Sequence, residues 1–130
     1  MALEVDRKTL PPGVEVLEVR GRVTLGLDTR RLLEMAGQIE REGVTRLVFD
    51  LGEVSYLDSA GLGILTRCTI SMRNAGGAFH LAGANAKVLQ LLKVTQLDEM
   101  IPSFASVTQA CQAFGGRIYP TPTASSKTPR

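Results

Sequence analysis

The chain has 130 residues, 44% hydrophobic and 22% charged, enough for one domain that buries its own core. The formal charge is +2, but three cations lie beyond residue 114; residues 1–114 hold 12 basic and 13 acidic side chains. That balance, with six aromatic residues and no interleaved cations, argues against a nucleic-acid surface.

No apolar run approaches the ~18 residues of a membrane span, and the N-terminus has neither a basic start nor an apolar signal core. A cytoplasmic protein without membrane insertion is expected. One histidine and no close cysteine pair leave no metal constellation. Cys68 and Cys111 each sit in an apolar helical pattern and read as buried free thiols.

In chain order, Leu3, Val5 and Leu10 suggest a first strand and Pro11-Pro12-Gly13 a turn. Val14–Arg20 reads as its hairpin partner, with a bend or bulge at Gly21. A further short strand and loop is expected over Arg22–Leu27. Asp28 reads as the cap of a helix over Thr29–Glu42, patterned by Leu32, Met35, Ala36 and Ile39 and ended by Gly43.

Leu47–Leu51 is a near-continuous apolar run, as in a strand covered on both faces. Gly52 and Ser55 mark the connection to a helix starting at Ser59-Ala60-Gly61, with Asp58 or Ser59 as its cap. That helix carries Leu62, Leu65, Cys68, Thr69 and Met72 and stops at Asn74-Ala-Gly-Gly77.

Ala78–Ala82 is the next strand, and Asn85 caps a helix with Val88, Leu91 and Leu92 on one face. A short strand within Leu97–Phe104, around Met100-Ile101, and a helix from Ser106, with Gln109 at the capping-box position, complete residues 1–116. Residues 117–130 hold three prolines and no core pattern, and a disordered tail is expected there. The order is a single α/β domain: a mostly parallel sheet of four to five strands with helices packed on it.

Ser59 admits three chemistries. As a nucleophile it has only half a hydrolase elbow, since Leu57 stands where glycine is needed two residues before it. The one histidine, His80, lies in a strand pattern, so no motif places a base. Nucleotide hydrolysis lacks a Gly-x-x-x-x-Gly-Lys-Ser/Thr run; Gly61 and Gly63 alone more simply allow tight packing. As a substrate, Ser59 would carry a phosphate at a helix N-terminus, where amides and dipole tolerate it. The phosphate adds roughly −1.5 to −2 charge beside Asp58. A plain capping role remains the alternative.

The run Asp58-Ser59-Ala60-Gly61-Leu62-Gly63 resembles the STAS domain family, specifically stand-alone bacterial anti-sigma factor antagonists. The similarity extends over about residues 3–114 and includes Leu47–Leu51, Val54–Leu57, Gly76-Gly77 and Leu91–Leu97. The resemblance implies a phosphoacceptor at Ser59 and a non-enzymatic, cofactor-free protein. It also implies two partners: an anti-sigma factor serine kinase that brings its own ATP, and a serine phosphatase.

The implied docking surface comprises Arg22, Thr24 and Leu25 of the early loop with Asp58, Ser59, Ala60, Gly61, Leu62, Gly63 and Thr66 at the helix start. Many antagonists have Gly-Glu-Leu/Ile-Asp where this chain has Gly21-Arg22-Val23-Thr24. The acid expected at Thr24 is absent, and Arg22 reverses a charge. A STAS subunit of a membrane lipid transporter, docking on a transporter ATPase, is the competing expectation.

Overall fold

The computed structural model describes residues 3–115; the expected tail lies outside them. Pro11-Pro12-Gly13 folds β1 (Glu4–Leu10) onto β2 (Val14–Val23) as an antiparallel hairpin, with Leu10 opposite Val14. β2 continues to Val23 as one strand, so the separate strand expected at Arg22 does not exist. Its register against β3 (Arg46–Leu57) shifts between Glu18 and Arg20 and again between Gly21 and Arg22. Gly21, at φ 107°, adopts the left-handed backbone that such an irregularity requires.

β3 also outruns its expected end at Leu51. Gly52 and Ser55 lie inside it, because the parallel ladder to β2 carries the strand on until Val23 pairs with Leu57. Cross-strand bonding here overrides local turn propensity.

α1 (Leu27–Arg41) is preceded by Gly26, which makes no side-chain cap, and Asp28 lies inside its first turn rather than capping it. The buried Thr29 hydroxyl donates to the Thr24 carbonyl, which starts the helix earlier. Asp28 accepts instead from the Leu3 amide at 3.4 Å.

α2 (Ser59–Asn74), β4 (Ala78–Ala82) and α3 (Ala86–Val94) follow as expected, Asn85 capping α3 by accepting from the Val88 amide. A 3-10 turn over Leu97–Glu99 leads to β5 (Ser103–Phe104) and α4 (Val107–Gln112), whose cap is Ser106. The last strand therefore lies beyond Met100-Ile101. Ile101 is instead a core residue closing a turn, its amide donating to the Leu97 carbonyl.

The sheet order is β1-β2-β3-β4-β5, antiparallel only between β1 and β2. One face carries the main core. Leu17, Val19, Leu47, Phe49, Leu51 and Leu81 of the sheet pack with Leu32 and Ile39 of α1, Leu65 and Met72 of α2, and Leu92 of α3. On the other face Val14, Val16, Val48 and Ala82 meet Ala110 and Phe114, of α4 and just beyond it. No helix of the described residues is long and apolar enough to cross a membrane.

Candidate functional site

The pairing of Val23 with Leu57 brings the carboxyl ends of β2 and β3 side by side. Thr24-Leu25-Gly26 leaves one end toward α1, and Asp58 leaves the other toward α2. Asp58 joins these two exits. Its amide donates to the Val23 carbonyl at 3.2 Å. One carboxylate oxygen accepts from the Gly61 amide at 3.0 Å, and the other from the Leu25 amide at 3.1 Å.

Asp58, not Ser59, is thus the cap of α2. The same carboxylate holds the early loop against the helix start. The Gly61 amide, aided by that of Leu25, stabilises the anion and holds this carboxyl below its ordinary pKa.

Gly61 is what lets the two exits approach. A Cβ there would lie 2.6 Å from the Val23 carbonyl oxygen and 2.9 Å from a Leu57 methyl. Gly63 differs: a Cβ there would meet nothing within 4 Å. Only the first of the two glycines serves tight packing.

Ser59 is the first residue of α2 and is exposed. Its hydroxyl has no hydrogen-bond partner among the described residues, since Asp58 performs the capping. His80, the only histidine, is nowhere near. It pairs in register with Val48, nine residues before Leu57 along β3, or roughly 30 Å at a strand's rise per residue. It is buried, stacked on Phe114 with ring centroids 3.9 Å apart, and its Nδ1 lies 2.9 Å from the Ala110 carbonyl. A carbonyl can only accept, so that nitrogen carries the proton.

The expected site residues form one corner with unequal exposure. Arg22, Leu25 and Ser59 are exposed; Thr24, Asp58, Ala60, Leu62, Gly63 and Thr66 are partly buried; Gly61 is buried. Leu62 packs against the main core. The Thr66 hydroxyl donates to the Leu62 carbonyl at 3.0 Å.

Two neighbours escaped the sequence reading. Leu27 is 75% exposed beside Leu25 at 84%; its signal was an apolar residue out of phase with the Leu32, Ala36, Ile39 stripe. Tyr56, 45% exposed, lies under Arg22, whose guanidinium carbon is 4.5 Å from the ring centroid. Nothing in single-strand periodicity reveals that pair, because it depends on the register between β2 and β3.

A STAS domain model matches residues 9–110. The chain belongs to the STAS domain family. This STAS domain is 32% identical over 101 residues to an anti-sigma-B factor antagonist of Listeria monocytogenes, spanning 78% of this chain and 72% of that one. The curated relatives it matches are covered over 63% to 72% of their own lengths.

Among solved structures it resembles an anti-sigma factor antagonist from Mycobacterium paratuberculosis. The TM-score is 0.76 at 24% identity, covering 87% of this chain and 94% of that one. A sulfate transporter family protein from Wolinella succinogenes gives 0.68 at 18% identity, covering 82% and 88%. At those identities the structural likenesses establish the fold alone.

Proposed function

We propose that this STAS domain is an anti-sigma factor antagonist that works by partner switching. Unphosphorylated, it docks on an anti-sigma factor serine kinase through the corner around Ser59, and so releases a sigma factor. The kinase then transfers the γ-phosphoryl group of its ATP to the Ser59 oxygen. The hydroxyl proton leaves to a base of the kinase, and ADP departs. Docking is lost until a serine phosphatase hydrolyses the ester.

One observation carries this reading: Ser59 presents an exposed hydroxyl, unbonded among the described residues, on the first turn of a helix whose cap is its neighbour Asp58. A serine engaged as the cap would have to give up its hydrogen bond to react; this one does not. The amides of the first turn and the helix dipole accommodate the added phosphate. The chain itself performs no reaction in this account. His80 is too distant to act as a base for Ser59, and the sequence has no phosphate-cradling loop to hold ATP.

The transporter-subunit alternative shares the fold, so the fold does not discriminate. The 32% identical relative named as an antagonist favours the switching reading. The test is incubation with a cognate anti-sigma factor kinase and ATP, followed by mass-spectrometric mapping. Phosphate on Ser59 is expected. Phosphate elsewhere, or none, together with capture by a transporter ATPase, would move the alternative ahead.

A further inference from the structure

We infer that the partner presents an acidic surface to this corner, with a carboxylate seated on Arg22. The inference rests on the antagonist reading and names the chemistry of the surface that the antagonist meets.

Arg22 is exposed, and no hydrogen bond or ion pair holds it among the described residues. Its position is nonetheless set, because the guanidinium lies over the Tyr56 ring across the β2–β3 ladder. Arg7 and Arg20 behave differently: Glu15 and Glu42 engage the first, and Glu4, Asp6 and Glu18 the second. Arg22 is therefore held by a ring face, and no acid among the described residues takes up its donors. That arrangement suits a planar carboxylate.

The charge around it is lopsided in the same sense. Residues 22–31 and 56–67, the segments that run through the two strand exits, contain four arginines and two aspartates. Arg22, Arg30, Arg31 and Arg67 are all exposed. Both acids face inward, Asp28 to the Leu3 amide and Asp58 to the amides of Gly61 and Leu25. Of the 12 basic and 13 acidic side chains of residues 1–114, this leaves eight and eleven elsewhere. In a near-neutral domain these two segments thus carry an excess of cations, together with the exposed Leu25 and Leu27.

Exposed leucines on cation-rich segments suit a protein surface of apolar and acidic groups, not a polyphosphate backbone. A phosphate on Ser59 brings roughly −1.5 to −2 charge, which cancels the excess of two cations in these segments. The switch then acts by removing an attraction as well as by obstructing contact.

The experiment titrates purified anti-sigma factor serine kinases of the same genome with the full chain, at low and high salt. Wild type, Arg22→Glu and Arg22→Lys are compared. Wild-type affinity should fall as salt rises. Arg22→Glu should bind about tenfold or more weakly. Arg22→Lys should fall between the two, because it keeps the charge but loses the fork over Tyr56.

Reversing one acid on the kinase should restore Arg22→Glu. Circular dichroism should be unchanged throughout, since Arg22 is exposed. Salt-independent wild-type binding with Arg22→Glu unimpaired would overturn this inference and leave the antagonist reading standing. Failure of the wild type to bind any such kinase would instead overturn the antagonist reading itself.

Discussion

Asp58 and Ser59 are adjacent oxygen-bearing residues with different partners, and substitutions should separate them. Asp58 accepts from two backbone amides on two segments; Ser59 accepts from none among the described residues. Asp58→Ala should therefore cost about 0.5–2 kcal/mol, the range for losing an N-cap, and should loosen the Leu25 loop. Ser59→Ala should stay within about 0.5 kcal/mol of wild type. Thermal unfolding of the two variants measures the contrast; equal destabilisation would mean that Ser59 shares the capping. Because the folded Asp58 carboxyl titrates below its ordinary value of 3.8, its contribution is present above that pH. It is lost as pH falls through the folded value.

The two glycines should separate in the same way. Alanine in a helix is favoured over glycine by up to ~1 kcal/mol. At Gly63 nothing opposes that gain, so Gly63→Ala should stabilise the fold slightly while adding a methyl to the proposed docking corner. At Gly61 the new methyl would press on the Val23 carbonyl and Leu57. Overpacking of about 1–3 kcal/mol should outweigh the helical gain. Urea unfolding should thus shift in opposite directions for the two variants. A stabilised Gly61→Ala would show that the two strand exits can separate without cost.

At the scale of elements, the sequence readily revealed whatever depended on local periodicity. The apolar run Leu47–Leu51, the stripes of α1 and α2, and the caps Asn85 and Ser106 all have their expected places. The misplaced strand bounds came from non-local pairing. β3 runs through Gly52 and Ser55 because β2 lies beside it, and β2 absorbs the strand expected at Arg22 for the same reason. β5, at two residues, is too brief for any alternation to mark it.

α4 shows a further dependence on tertiary contact. Six residues make a marginal helix alone, and this one sits on the sheet through His80, which stacks on Phe114 and donates to the Ala110 carbonyl. Burial lowers the His80 pKa more than that hydrogen bond restores it. The folded state thus resists a proton that the unfolded chain accepts. Stability should fall as pH drops below about 6.5, by at most about 1.4 kcal/mol per pH unit. Melting temperature against pH for wild type and His80→Phe is the check: the variant should lose this part of the slope. An identical slope would assign the titration to another group.

At the scale of the whole molecule, the parallel sheet determines where the proposed site lies. β2 and β3 run in the same direction and end together, so the loops that leave them meet at one corner, the usual location of sites on such sheets. The motif from Asp58 to Gly63 was legible as a helix start, and its resemblance pointed to Ser59. The Leu25 amide that Asp58 also holds, the exposure of Leu27 and the seat of Arg22 on Tyr56 were not, since each joins residues more than thirty positions apart or depends on packing.

Partner switching requires one covalent change at that corner to alter an affinity. The most direct measurement compares the affinity of one cognate anti-sigma factor kinase for this chain before and after stoichiometric phosphorylation at Ser59. Loss of charge-assisted contacts and gain of repulsion should cost ~2–5 kcal/mol, or roughly 30- to several-thousand-fold in Kd. Ser59→Ala should bind as the unmodified chain does, and Ser59→Asp more weakly. Equal affinity of the phosphorylated and unmodified chains for the kinase would contradict the account.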